Sequence, residues 1–465
     1  MKPSIVIIGA GLGGCVLADD LANNFHVTVI DLNKKTDFLH NQIDDLQAKT
    51  IIKPHVSCGL GGTTRFWHHG LIEIDSIIFD EIWPFSKSEL DEFYKRAFFK
   101  LSGVKYKMYV EFVDKLKASL ISNQIQPALL GNPLFYPTRR INTWKKFNLK
   151  KRVNFILVED VEFKLNQFNV NKVIVTKNSE KIEIEANLFV ISAGGIGTPV
   201  ILQNLMKSNN LPALSNAGHY YEDHPTAFVG EVVLSNPIYK FWNYAANSWG
   251  KLRIPFVIQD NGMLISFQLR PSNQFKTAAS IKSIVSDLRN FPFRIENYLL
   301  LFKHTDDLLE ILSFKLGLRF PTNRYTILMV AQQLCDGHSS IIFDCESKRI
   351  LRKWTLSQSY LDSLEKSINN FILSLGSQVL SSKIYQDWTQ NITSSAHHSG
   401  TARMSETPKS GVCDLNGKVF SIENLYVCDG SLIPGSGYAN TGLTIAALAL
   451  KMAAHLRGIY LHNKD

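Results

Sequence analysis

The apolar positions of the chain gather into short runs that break into glycine. Ser4–Ile8 reads SIVII, the length and composition of a buried strand. The glycine-rich stretch Gly9 to Gly14, GAGLGG, follows at once, then CVLADDLAN at helical spacing, then a second run, VTVID, ending in Asp31. The same order returns at Leu188–Leu205, LFVISAGGIGTPVILQNL, where Pro199 is expected to start an amphipathic helix. It returns again after NLYVCD at Asn424–Asp429, where a polar, glycine-rich turn opens the long apolar helix of GLTIAALALKMAAHL. Strand, glycine turn and helix in repeated succession predict an α/β fold.

Elsewhere the period is two. GMLISFQLR and the YTILMVAQQL stretch alternate as strands do, and strands near Asn154–Val161 and Lys172–Val175 predict a small antiparallel addition. Ile281, Ile284, Val285 and Leu288 recur at helical spacing before a break at Pro292. The segment 281–320 therefore reads as two helices covering an active site, or as a basic amphipathic surface for a membrane or a partner protein. No internal repeat or low-complexity tract is present.

At 465 residues the chain has room for two or three lobes, and its 45% hydrophobic content is that of an ordinary folded protein. The net charge of +9 comes from lysines and arginines spread along the whole sequence, which argues against a nucleic-acid site. Six cysteines with no CxxC spacing give neither a zinc site nor a disulfide framework, so no metal is expected and the compartment reads as reducing and cytoplasmic. No leader and no uninterrupted apolar span is expected.

The first glycine turn carries specific chemistry. Gly9 permits the tight turn, Gly11 lets the backbone approach a pyrophosphate at the helix N-terminus beside Leu12, and Gly14 lets helix and strand pack closely. Asp31 stands where a carboxylate accepts hydrogen bonds from a ribose diol and repels a 2′-phosphate. The unit predicts a dinucleotide and leaves NAD and FAD open. A second stretch, Cys58–Gly70 (CGLGGTTRFWHHG), fits a loop around a polar ligand and a surface turn equally well.

Four blocks, Ile5–Asp31, Gly59–Gly70, Val190–Pro225 and His397–Leu456, together resemble the glucose–methanol–choline (GMC) family of FAD-dependent oxidoreductases. Gly61-Gly62-Thr63-Thr64 is similar to the family's GGxS/T loop, Ser192 to Pro199 to its SAGAIGSP signature, and Glu222-Asp223-His224-Pro225 to its QDHP. Trp67 makes pyranose oxidase-like and sugar dehydrogenase-like members the nearest in motif. Phe66 holds the place where some members attach FAD through histidine, so non-covalent FAD is implied unless His68 or His69 substitutes.

The resemblance implies contacts to FAD from Gly61, Gly62, Thr63, Thr64, Trp67, Val161, Ala193, Gly194, Asp429, Gly430, Asn440 and Thr441. Read from the residues, Asp429 is equally a helix cap. HHSGTARM matches the family's HxxGT turn with His397 as base, and Asn440 matches its second catalytic position. Oxidising an alcohol needs such a pair, a base for the hydroxyl proton and an amide to hold the oxygen. The implied function is oxidation of an alcohol, on a sugar or polyol-like substrate, with oxygen, a quinone or a protein as electron acceptor. An FAD-containing lyase and a non-catalytic flavoprotein subunit are the alternatives. The Rossmann-like FAD domain is expected at 1–100, 150–232 and 395–465, and a sheet-plus-helices substrate domain at 101–149 and 233–394.

Overall fold

The computed structural model describes residues 2–33, 42–45, 56–65, 67, 69–138, 143–235, 244–260, 262–271, 295–296, 298–299, 323–334 and 337–461. The apolar runs become a five-stranded parallel sheet. Its strands are β1 (Ser4–Ile8), β2 (His26–Leu32), β3 (Asn154–Val158), β4 (Leu188–Ile191) and β5 (Leu425–Val427), in the order β5–β4–β1–β2–β3. Apart from β1 and β2, sheet neighbours thus come from residues more than a hundred positions apart. β1 and β4 are buried along nearly their whole length, which is why they read as continuous apolar runs rather than alternating ones.

Helix α1 (Leu12–Leu21) follows β1, α2 (Gly194–Asn209) follows β4, and α3 (Gly442–Leu461) follows the turns after β5. α3 packs on α1 and on the helix Asp91–Ser102, where the Tyr94 hydroxyl lies 2.9 Å from Thr444 Oγ1. Its Gly442–Tyr460 stretch is long and apolar enough to cross a membrane, with mean hydropathy 1.2. Its small residues Ala446, Ala447, Ala449 and Ala453 are fully buried, so its apolar character is accounted for by packing within the fold.

The second lobe is antiparallel. Strands Phe256–Asp260, Met263–Pro271, Arg324–Ala331, Pro225–Leu234 and Val379–Ile384 lie side by side in that order, and Thr393–Ser394 pairs with the start of Pro225–Leu234. The alternating GMLISFQLR and YTILMVAQQL stretches are adjacent strands of this sheet. The protein is thus a Rossmann-like sheet, discontinuous in sequence, with a separate sheet-and-helix lobe.

Two local expectations change. Asn154–Val161 does not stay in one sheet: Asn154–Val158 joins the parallel sheet as β3. After Glu159 the chain enters the antiparallel strand Asp160–Asn166, paired with Asn169–Lys177. Pro199 does not start its helix. α2 begins at Gly194 with Pro199 inside it, which leaves the Gly195 carbonyl without a helical N–H donor. The Thr401 hydroxyl donates to that carbonyl at 2.8 Å. The proposed cover at 281–320 lies outside the described residues, apart from four exposed positions at 295–299.

Candidate active site

The β1–α1 turn has the geometry its glycines allow. Gly9 has φ +114°, and a Cβ there would stand 2.1 Å from the Ser192 carbonyl oxygen. A Cβ on Gly14 would stand 2.2 Å from the Gly9 oxygen, so helix and strand touch backbone to backbone. Gly11 is different. A Cβ there would meet only the Ser192 oxygen, at 3.8 Å, and nothing lies within 4 Å of one on Gly59 or Gly194. Gly11 caps α1 without a side-chain hydrogen bond, leaving the first amides from Leu12 onward facing this open side.

Asp31 is more committed than the sequence suggests. One carboxylate oxygen accepts from the Ala10 amide at 2.6 Å, and the other from Leu32 and Gly59 at 2.7 and 2.9 Å. Burial raises its pKa, opposed by these amides and by Arg65. The Cys58–Gly70 stretch is therefore no loose turn: Gly61 donates to the Ala10 carbonyl at 2.9 Å, and Gly62 sits against Gly11. Thr64 is buried and bonded to the Gly61 carbonyl, while Thr63 is exposed. The Trp67 ring lies over the start of α3, 2.6 Å from where a Gly442 Cβ would stand. Phe66 and His68 are outside the described residues.

Ala193 caps α2. Asp429 is fully engaged: one oxygen accepts from the Gly194 amide and the Thr198 hydroxyl at 2.8 and 2.6 Å, the other from the Ser431 amide and hydroxyl at 2.8 and 2.6 Å. Its side chain ties the start of α2 to the turn after β5, which is the helix-capping reading, and Gly430 beside it is buried against the His398 carbonyl. Val161 lies on the antiparallel addition, and Thr441 accepts the first α3 hydrogen bond, from Ile445.

His397 and Asn440, 43 positions apart, meet: Asn440 Nδ2 lies 3.2 Å from His397 Nε2. As oriented, the amide donates to an unprotonated Nε2. Burial pushes the His397 pKa down to about 3, with the neighbouring His224 adding to the shift and Asp223 opposing it. The residue retains partial exposure even so, and its Nδ1 is enclosed with no hydrogen-bond partner among the described residues. The imidazole is neutral at ordinary pH, and a neutral imidazole beside an amide can take a proton while the amide holds an oxygen.

The turn carrying His397 is held from below. The His398 carbonyl sits on two glycines, 2.3 Å from a Cβ on Gly195 and 2.9 Å from one on Gly430. Ala396, just before His397, has φ +58°, a left-handed conformation unusual for a residue with a Cβ. The His398 ring turns away from His397: its Nδ1 lies 2.8 Å from the Tyr221 hydroxyl and 3.4 Å from Asp223 Oδ2. Tyr221 in turn receives Arg352 Nη1 at 3.4 Å, and Arg352 grips Asp45 with two bonds of 2.5 and 2.8 Å.

Sequence reasoning gave Asp223 and His224 no role, although both stand in the EDHP stretch. Asp223 is wholly buried and accepts from Ser394 and from the amides of His224 and His397, at 2.8 and 3.1 Å for the amides. Burial alone would raise its pKa, but bonds from His398 and Ser394 hold it below the usual range. The signal was the bridge between Glu222 and Ser399, which lays EDHP beside HHSG and is invisible in either segment alone. On the other side of Asn440, Gly70 is wedged against Tyr136 and the Asn440 amide. Arg270 hydrogen-bonds Tyr136 and shares Gln268 Oε1 with Arg253, at 2.8 and 3.1 Å.

Residues 355–449 match the family model for GMC oxidoreductases, in its C-terminal part. Long-chain-alcohol oxidase FAO3 of Arabidopsis thaliana is 35% identical over 85 residues, 18% of this chain and 11% of that protein. The 6'''-hydroxyparomomycin C oxidase of Streptomyces lividus is 42% identical over 66 residues, 13% of this chain and 12% of that one. These matches span about a tenth of the relatives' own length. The crystal structure of pyridoxine 4-oxidase from Mesorbium loti superposes over 99% of both chains with a TM-score of 0.60 at 13% identity, a likeness of fold.

Proposed function

For this chain, which belongs to the GMC oxidoreductase superfamily, we propose the FAD-dependent oxidation of an alcohol CH–OH group to a ketone or aldehyde. The observation that carries the reading is the 3.2 Å approach of Asn440 to His397 Nε2. His397 takes the hydroxyl proton on Nε2, Asn440 holds the oxygen by hydrogen bonding, and the carbon gives up its hydrogen with the bonding pair. FAD, when bound, supplies the acceptor for that hydride.

The open side of Gly11, Gly59 and Gly194 fits a pyrophosphate against the bare amides from Leu12. Asp31 keeps lone-pair capacity for a ribose hydroxyl beyond its three N–H donors. Gly61, Gly62, Thr63, Thr64, Trp67, Ala193, the main chain of Asp429 and Gly430, Asn440 and Thr441 would hold the flavin portion of FAD, and Val161 its adenine. The cofactor is held non-covalently, so acid precipitation releases all flavin into the supernatant.

The substrate is a sugar or another polyol. Two features support this over a long aliphatic alcohol: the polar group of Tyr136, Arg253, Gln268 and Arg270 beyond Asn440, and the relative named for oxidising hydroxyparomomycin C. The test is anaerobic absorbance of the purified, yellow protein mixed with a panel of sugars, polyols and aliphatic alcohols. Bleaching by a polyol supports the reading, and bleaching only by aliphatic alcohols overturns the substrate class. A bound flavin that no alcohol bleaches returns the lyase and binding-subunit alternatives to the front. Reoxidation of the bleached protein by oxygen, a quinone or an electron-transfer protein then identifies the acceptor class.

A further inference from the structure

His224 stands at the junction of the two reactive side chains. Its ring meets that of His397 edge-on, with centroids 5.1 Å apart and planes at 70°. Its Nε2 lies 2.9 Å from the carbonyl oxygen of Ala439, the residue before Asn440. Donation to a carbonyl places the imidazole proton on Nε2, and complete burial disfavours a second one. The His224 and His397 amides also converge on the same Asp223 oxygen. One dipeptide therefore touches the main chain at His397, the ring of His397 and the main chain beside Asn440.

We propose that His224 is a positioning residue that fixes the separation and mutual orientation of His397 and Asn440 through its ring contact and its bond to the Ala439 carbonyl. The inference rests on the reading of His397 and Asn440 as the reactive pair. The two halves of the contact separate by substitution. His224→Phe keeps an edge-on ring and presents carbon to the Ala439 carbonyl; His224→Gln loses the ring and keeps an N–H donor.

The experiment is anaerobic stopped-flow reduction of the flavin-loaded protein, with the limiting rate and the substrate Kd read separately. In His224→Phe the limiting rate is expected to fall about 10- to 100-fold with little change in Kd, as for a misplacement of up to 1 Å. His224→Gln is expected to recover part of that rate. A wild-type rate in His224→Phe, or a His224→Gln variant no better than His224→Phe, overturns the proposal.

A second measurement needs no substrate. The groups facing the His397 ring are His224, Asp223 and His398. Removing His224 takes away the ring packed edge-on against His397, so the ring-nitrogen NMR signals of His397 are expected to shift in His224→Gln. Unchanged His397 ring signals overturn the contact. Failure of every alcohol to reduce the wild-type flavin would instead refute the proposed function, and the NMR result would still decide the placement of His224.

Discussion

Replacing Gly195 by alanine adds one methyl group beneath the reactive turn. Built on the present backbone, the new Cβ lies 2.3 Å from the His398 carbonyl oxygen and 2.6 Å from its carbon, where ordinary contact begins at 3.4 Å. The partner is main chain, so no side chain can swing aside. The His397–His398 turn must therefore rise by roughly 1 Å. Displacements of that size cost on the order of 100-fold in rate when they separate reacting groups, and overpacking costs about 1–3 kcal/mol of stability. Gly197→Ala, two residues on in α2, is the internal control, because its Cβ meets only the Ala193 methyl at 3.0 Å and needs a few tenths of an ångström. The assay is anaerobic stopped-flow reduction of both flavin-loaded variants beside wild type, with thermal melts in parallel. Gly195→Ala is expected to bind flavin, melt several degrees lower and reduce about 100-fold more slowly, with Gly197→Ala close to wild type. A Gly195→Ala variant that reduces at the wild-type rate would show that the turn's height is irrelevant to His397.

His397→Ala is expected to keep its flavin and lose at least ~100-fold in reduction rate, the lower end for a lost general base; stopped-flow absorbance reads both. Thr401→Val removes the 2.8 Å hydroxyl donor to the Gly195 carbonyl and is expected to cost about 1–3 kcal/mol in chemical denaturation. Asp31→Ala deprives the amides of Ala10, Leu32 and Gly59 of their acceptor, so flavin affinity by fluorescence titration and the melting temperature should fall together. His397 titrates lower in the fold than in the unfolded chain. Its contribution to stability is therefore complete above pH 6.5 and is lost as the pH falls toward about 3. Wild type should lose up to roughly 2 kcal/mol from this group between pH 7 and pH 5, and His397→Gln should show a shallower pH dependence in the same melts.

Local chemistry was the legible part of this protein. Gly9 and Gly14 act within a few residues of themselves, so the β1–α1 turn follows from the order of glycines alone. The apolar runs of β1 and β4 announced strands buried on both faces. What stayed hidden depends on partners distant in sequence. Asp31 looked unengaged, but of the three amides it accepts from, one belongs to Gly59, 28 positions on. Asp429 looked equally like a ligand contact and a cap; the Gly194 and Thr198 donors that commit it lie some 230 positions upstream. Pro199 looked like a helix start because Thr401, which satisfies the carbonyl it frees, lies two hundred residues on. The GMC-type signature has alanine where this chain has Gly195, whose missing side chain leaves room for the His398 carbonyl. His397 and Asn440 were found through resemblance, while His224 escaped because a buried histidine in an EDHP stretch shows no periodicity to read.

The placement of β5 and α3 has a consequence for synthesis. A ribosome delivers β1, α1 and β4 early, but the edge of β4 and the apolar flank of α1 wait for residues 425–461 to cover them. Asn440 arrives in the same last instalment. Until then the emerging chain exposes an unpaired parallel strand and a greasy helix face, the kind of surface that chaperones shield. A chain stopped at residue 395 should therefore bind holdase chaperones and form inclusion bodies. The first moment at which the fold is sealed is also the first at which both reactive side chains exist.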